Sequence, residues 1–415
     1  MSVHNKYDII IVGGGISGLY SAYKILKMAP ETKLLVLEGH KKQWLGGRLG
    51  NEMFQGTQVV TGAGVGRKEK DYLLIELLRE LKVPYNEFQV APKPAQTISP
   101  PCNVKKLINI LKKQFKEKSA IAPVKKTFKE FALPILGPDL YKNLTICLGY
   151  TDYENEDVYD TLYNYGLEDN FDTWTALHVP WKLLVEAIAK KVGIKNIHCS
   201  SYVTNIEQLS HCNFIVKTDK GNTYLCNKVI LATTISSVQK LLPNDPIYQQ
   251  IHGQTFLRLY GKFTKSSTEI VKQYVPGYTI VPGPLKKIIP MDTDKGVYMI
   301  AYSDNEDAKY LKDRLMNTQK NRDYFCELLE EALGIPKGAL NLISIKDYYW
   351  PVGTHYYEPL HGPFKNRKDF IKKAQNPMTG MLVVGEMISM NQGWTQGALE
   401  SVESVVTKKW LNSEC

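Results

Sequence analysis

YDIIIVGGGISGL, residues 7–19, is the stretch on which the fold turns. Tyr7–Val12 reads as a strand buried on both faces, as in a parallel sheet. Gly13–Gly18 is a turn, and Ile16–Met28 is a helix stopped before Pro30. Lys33–Leu37 is a second buried strand, so the segment is a βαβ unit. Each glycine has a task. Gly13 permits the tight turn, Gly15 lets the backbone approach a pyrophosphate, and Gly18 lets helix and strand pack closely. The helix N-terminus, at Ile16 and Ser17, supplies amide donors and a positive dipole end for phosphates. Glu38 closes the second strand twenty residues after Gly18, where an acid can accept hydrogen bonds from both ribose hydroxyls. It would repel a 2′-phosphate, which disfavours NADP. The competing explanation is a chance glycine turn followed by a surface glutamate.

Outward from this unit lies Leu45-Gly46-Gly47-Arg48. A plain NAD dehydrogenase has no need of it. In a flavoprotein the glycines let the chain pass near the ribityl and isoalloxazine region, and Arg48 can neutralise pyrophosphate. Next comes Thr61-Gly62-Ala63-Gly64-Val65-Gly66, small residues suited to packing against a ring; either stretch alone also fits a flexible loop. Residues 39–66 otherwise read as irregular. Near the far end, a strand at Met381–Val384 delivers Gly385 and Glu386. A turn then runs to Gln392-Gly393-Trp394-Thr395, and a helix follows from Gln396. That helix N-terminus can face negative charge developing on a reduced flavin, or the helix simply caps the fold.

Between these ends, Asp71–Leu81 is an amphipathic helix. Residues 91–101 hold four prolines and read as a linker. Residues 103–118 form a lysine-rich helix with a stripe of Val104, Leu107, Ile108, Leu111 and Phe115. Its lysines read as a solvated face, with membrane or nucleic-acid contact the lesser alternative. Asp152–Asp172 interleaves carboxylates with tyrosines; it could attract a polyamine, but a solvated face is the preferred reading. Trp181–Lys191 and Asp323–Leu333 are helices, residues 197–233 a strand meander, and Phe256–Phe263 an alternating strand. Nucleotide-fold signals at the start, middle and end imply an α/β protein. A Rossmann-type FAD-binding domain (1–90, 193–250 and 376–415) is interleaved with a mixed α+β substrate domain (91–192 and 251–375).

Composition sets broad bounds. The 415 residues carry 52 basic and 42 acidic side chains, a surplus of 10 that reads as a solubilising surface rather than a nucleic-acid footprint. Seven cysteines with no CxxC pair read as reduced intracellular thiols and give no metal site. The N-terminus has no signal-peptide layout, no stretch has the length of a membrane span, and the C-terminus carries no peroxisomal tripeptide. A cytoplasmic monomer or homodimer is the default expectation.

In this order, GGGISGL, LGGR, TGAG and GE…GWTQGALESV resemble the flavin-containing amine oxidases, the monoamine and polyamine oxidase group. The resemblance spans nearly the whole chain and is weaker over residues 92–190. It implies that Gly13, Gly15, Gly18 and Glu38 hold the ADP half of FAD. It also implies that Arg48 is the arginine of the GGR element, that Val203 meets the adenine through its backbone, and that Glu386 lies near the ribityl and phosphate groups. Tyr356 and Trp394 match the two aromatic positions that flank an amine before the flavin, although either could be a core aromatic. The activity implied is oxidation of a small amine, with O2 taking the electrons.

Two departures stand out. The lysine that holds a water near the flavin in many members is replaced by Arg258, with Lys262 out of register. Arginine stays protonated, so it could grip a substrate carboxylate, fix a water, or simply pair with a carboxylate of the inserted domain. The covalent-tether cysteine is absent from Gly353-Thr354-His355-Tyr356, so non-covalent FAD is expected, with His355 a polar neighbour of the ring or a substrate contact. Other readings keep the flavin but change the reaction: an amino-acid oxidase, a desaturase-like oxidase, a sugar-mutase-like isomerase or a flavin-bound interaction module.

Overall fold

The computed structural model describes residues 6–210 and 212–413. Cys415 and the first five residues lie outside it. The first strand, Lys6–Val12, pairs in parallel with Leu34–Leu37 on one side and Thr223–Leu231 on the other. Ile9 and Ile11 enter one core cluster, Ile10 and Val12 another, so both faces are covered. This is why the run is apolar without alternation. Ile197–His198 and Met381–Val383 extend the parallel part, and Val203–Ser210 and Asn213–Thr218 add an antiparallel edge, giving seven strands. Helices Ile16–Met28, Trp181–Val192 and Thr395–Val405 share the cluster of Ile9 and Ile11.

A second sheet has six strands in the order 342–357, 251–263, 297–304, 287–292, 279–280, 93–94. Its main pair sets Gly253 opposite His355 and Arg258 between Tyr302 and Tyr348. A three-stranded sheet joins 66–67 and 86–90 to 174–178.

Three readings of the sequence need correction. The irregular stretch 39–66 contains a hairpin, Asn51–Phe54 with Thr57–Val60. Its two-residue turn places Gln55 at φ 50° and Gly56 at φ 77°, and glutamine is not a residue that announces such a turn. The proline-rich linker carries Lys93–Pro94, which pairs with Thr279–Ile280 at the sheet edge. Finally, Cys102 and Cys147 form a disulfide across 45 residues, with Cα atoms 5.6 Å apart, against the all-reduced reading. The folding of Val104–Ser119 against Pro138–Leu148 brings the two together, which irregular sequence spacing does not reveal. Cys199, Cys226 and Cys326 are free.

Candidate active site

Gly13, at φ +110°, is pressed so closely against the strand ending at Leu231 that a Cβ would lie 2.3 Å from the Ala232 carbonyl oxygen. Gly18 is tighter still, its Cβ position 1.9 Å from the Gly13 oxygen. Gly15 differs. A Cβ there meets nothing nearer than the Gly46 oxygen at 4.0 Å, and Gly47 faces it, with its own Cβ position 3.6 Å from Gly15 Cα. The Gly46 amide donates to the Gly14 carbonyl at 2.9 Å, zipping the two glycine segments together. The helix that starts at Ile16 and Ser17 has no side-chain cap and no acid in its first turn. Its leading amides therefore face a glycine-walled cradle, the geometry a pyrophosphate requires.

Glu38 is buried at the strand end. It accepts from the Gly14 amide at 2.7 Å and from the His40 amide at 2.7 Å. The Ser201 amide donates to the Glu38 carbonyl, which brings Val203 at the start of its strand to the same edge. The glycine turn, the acid and Val203 thus lie at one edge of the sheet.

At the other end of the cradle Arg48 donates to Glu386 at 3.0 Å and to the Gly353 carbonyl at 2.6 Å. Glu386 also accepts from the His355 amide, from His355 Nδ1 at 2.9 Å and from the Gly393 amide. Its burial would raise the carboxyl pKa; His355, Arg48 and these donors outweigh that and hold it well below the carboxylate range. His355 Nε2 accepts the Ile235 amide at 3.3 Å. An amide can only donate, so Nε2 bears the lone pair and Nδ1 the proton. Both ring nitrogens are engaged in a fully buried side chain.

Arg48 grips the next segment too. The Ala63 amide donates to the Arg48 carbonyl at 2.8 Å, and a Cβ on Gly62 would lie 2.2 Å from that oxygen. Arg258 reaches into the same Gly62–Val65 stretch. Its Nε donates to the Gly62 carbonyl at 2.7 Å and Nη2 to the Tyr302 hydroxyl at 2.8 Å, and the guanidinium stacks 4.0 Å from the Tyr302 ring. No carboxylate pairs with Arg258 among the described residues, so the ion-pair explanation fails. Tyr150 and Phe256 complete an aromatic corner with Tyr302.

Tyr356 and Trp394 are each half-buried but not in ring contact with one another. Tyr356 stacks on His252 at 5.1 Å. Trp394 carries Arg67 on one face at 3.8 Å and meets Trp174 edge-on. Thr395 opens the helix Thr395–Val405, which also lacks a side-chain cap and an acid in its first turn. Gly385, at φ +140°, hands the chain from the last strand to Glu386.

The acidic stretch is not a solvated face. Asp152, Glu156 and Asp160 are buried and line a cavity of about 20 Å³ together with Thr354, His355, Tyr356 and Arg367. Arg367 pairs with Asp160 at 2.7 Å. Asp152 accepts from the Tyr165 hydroxyl at 2.6 Å and Glu156 from the Thr161 hydroxyl at 2.9 Å. Burial, then Asp304, push Asp152 up to about 7; burial, then Asp160, push Glu156 well above its usual range. Behind this wall Lys287 is wholly buried over the face of Tyr150, its Nζ without a hydrogen-bond partner among the described residues and its pKa driven down by burial. The sequence reading missed Lys287 and Arg367. The carboxylate–tyrosine alternation of 152–165 was the available signal for the rest.

A model of the flavin-containing amine oxidoreductases matches residues 129–406, more than half of the chain. The chain belongs to that family. It is a flavin-dependent oxidoreductase of amine-oxidase fold. The solved structure of a putrescine oxidase double mutant made to redesign cofactor binding superposes with TM-score 0.74 over 97% of this chain and 98% of that one, at 15% identity. Wild-type putrescine oxidase bound to putrescine superposes with TM-score 0.73 at the same coverage and identity. An uncharacterized protein of Acanthamoeba polyphaga mimivirus is 22% identical over 97% of this chain and 94% of its own length. No helix among the described residues is long and apolar enough to cross a membrane, and no cluster of candidate metal ligands occurs among them.

Proposed function

We propose that the flavin is FAD, held without a covalent bond, and that the enzyme oxidises a diamine or polyamine with O2. The products would be an aldehyde or imine and H2O2. The residues fit the cofactor: the Gly15–Gly47 cradle and the uncapped amides at Ile16 and Ser17 suit its pyrophosphate, Glu38 its ribose, and Val203 its adenine. Gly46, Gly47, Arg48, Gly62–Val65, Gly385, Glu386, Trp394 and Thr395 would surround the remainder. FAD would supply the two-electron acceptor that makes an amine's α-carbon oxidisable. We also infer two interleaved units, 1–90, 193–250 and 376–415 against 91–192 and 251–375, stitched by the sheet of 66–67, 86–90 and 174–178.

The observation that carries the substrate class is the pair Asp152 and Glu156. Neither forms an ion pair among the described residues, and buried carboxylates are costly unless a cation meets them. Their cavity has room for roughly one water, so it suits one ammonium end and not a whole substrate. The other amine would lie toward Tyr356, whose ring face suits a cation, and lose its proton before oxidation. Arg258, fixed by Gly62 and Tyr302, would hold the wall opposite Tyr356 and Trp394 and exclude bulk water.

Anaerobic mixing of the purified yellow protein with an amine panel tests this. Bleaching by diamines, with peroxide on readmitting air, is the expected result; no bleaching by any amine contradicts it. A second reading, an amino-acid oxidase with Arg258 as carboxylate anchor, rests on that arginine being buried without a carboxylate. Bleaching by amino acids alone, abolished in Arg258→Met, would select it.

A further inference from the structure

The helix Val104–Ser119 buries its stripe of Val104, Leu107, Ile108, Leu111 and Phe115. Its other side, with the turn that follows, carries a local surplus of positive charge that is most of the chain's net excess. Between residues 105 and 130 there are nine lysines, no arginine and two glutamates, a net of 9 − 2 = +7, against +10 for the whole chain. Of the nine, only Lys113 and Lys129 are paired with a carboxylate among the described residues. The charge is therefore uncompensated locally.

Apolar side chains sit inside this basic field. Ala120, Ile121, Ala122 and Pro123 are all exposed, and Ile121 is 89% so. The turn is ordered, with the Ile121 and Ala122 amides both donating to the Lys118 carbonyl. Lys116 and Lys118 flank it on one side, Lys125 and Lys126 on the other. Ile110, 38% exposed, lies on the helix itself, nine residues before its end at Ser119. It shares a shallow groove with Lys105, Lys106 and Lys113. Exposed Tyr159 and Tyr163 border the helix through Phe115.

We infer that the lysine face of residues 104–126 and the Ala120–Pro123 tip form a peripheral docking surface for an anionic lipid bilayer. Lysines on flexible stems attract a negatively charged leaflet without needing fixed partners. The apolar tip has somewhere to go only if the surface has a hydrocarbon layer beneath its headgroups, and tyrosines at the border suit the headgroup level. A nucleic acid offers the charge but gives Ile121 and Pro123 no role, and nucleic-acid recognition favours the arginine that is absent here. The surface is independent of the cradle and of the amine reading.

Flotation of the full flavin-loaded protein with vesicles tests it. The vesicles would be phosphatidylcholine alone or with about 30 mol % phosphatidylserine, at roughly 0.1 M and 0.5 M salt. Binding to the serine-lipid vesicles only, lost at high salt, is expected. Lys113→Glu/Lys116→Glu/Lys118→Glu should abolish it, and Ile121→Asp should weaken it at least about fivefold, with flavin content and circular dichroism unchanged. Three results would overturn the inference: no binding to anionic vesicles, an Ile121→Asp variant that binds as well as wild type, or tighter binding to a single-stranded oligonucleotide than to the vesicles.

Discussion

The guanidinium of Arg48 lies 3.0 Å from Glu386 Oε2, joining the loop after the second strand to the turn after the last one. The same arginine holds the Gly353 carbonyl, two residues before His355, whose ring and amide complete the shell of Glu386. One buried carboxylate thus locks three distant segments around the cradle. Replacing Arg48 with Ala leaves Glu386 without a cationic partner, held only by the hydrogen bonds from His355 and the Gly393 amide. The expected cost is about 2 kcal/mol in stability, discounted because Arg48 is part-exposed. Flavin retention after gel filtration should fall at least about tenfold in affinity, and Arg48→Lys should restore only part of it, since one ammonium cannot serve both acceptors at the guanidinium's spacing.

Gly15 and Gly18 should separate cofactor binding from folding. An alanine Cβ at Gly18 has no space beside the Gly13 carbonyl, so Gly18→Ala should lower the melting temperature sharply or prevent folding. Gly15→Ala puts its methyl into the open cradle at an ordinary φ of −72°. Its flavin-free stability should stay within about 0.5 kcal/mol of wild type while flavin affinity drops at least about tenfold. Calorimetry of the flavin-free proteins and a flavin titration check the pair. Equal flavin affinity in Gly15→Ala would remove the cradle from the cofactor site.

Much of this was legible in the sequence because local chemistry dictates it. The glycine hexad, the uncapped helix and Glu38 are set by turn geometry, and the helix boundaries Ile16–Met28 were read from periodicity and Pro30. What escaped depends on distant packing. Leu342–Tyr357, the strand that carries His355, contains Pro351 and Gly353, residues that argue against a strand interior. It is tolerated because this is the sheet's edge strand and its register shifts opposite residues 254–256. Asp152–Asp160 looked like a solvated charge run because nothing local shows that Arg367, 207 residues beyond Asp160, comes to meet it. The Cys102–Cys147 bridge was hidden for the same reason.

His355 bears on how the flavin is held. With Nδ1 committed to Glu386 and Nε2 to the Ile235 amide, neither nitrogen is free to bond carbon. Denaturing the protein in acid should release the yellow colour completely into the supernatant. Colour that stays with the precipitate would contradict the non-covalent reading.

The acidic cavity predicts a pH signature. Asp152 rises from 3.8 to about 7 on folding, through burial and Asp304, with Tyr165 as its donor and Lys287 close by. Between those values the native state holds a proton that the unfolded chain has released. The stability that this proton contributes is full below about 4 and is lost as pH rises to about 7. Relative to Asp152→Asn, ligand-free wild type should therefore lose on the order of 2–4 kcal/mol across that window. A dicationic ligand reverses the preference by stabilising the carboxylate. Binding of a short α,ω-diamine should tighten about tenfold from pH 6 to pH 8 in wild type and stay nearly flat in Asp152→Asn. Isothermal titration at the two pH values measures both slopes.

The most direct measurement compares a diamine with the n-alkylamine of equal chain length in anaerobic stopped-flow reduction of the flavin. The second ammonium is the only chemical difference between them, and Asp152 and Glu156 are the groups placed to receive it. The diamine should reduce the flavin with an apparent second-order rate constant at least about tenfold higher, a preference that Asp152→Asn/Glu156→Gln removes. Equal rates for the two amines, or a preference for the alkylamine, would contradict the assignment of the buried carboxylates to substrate.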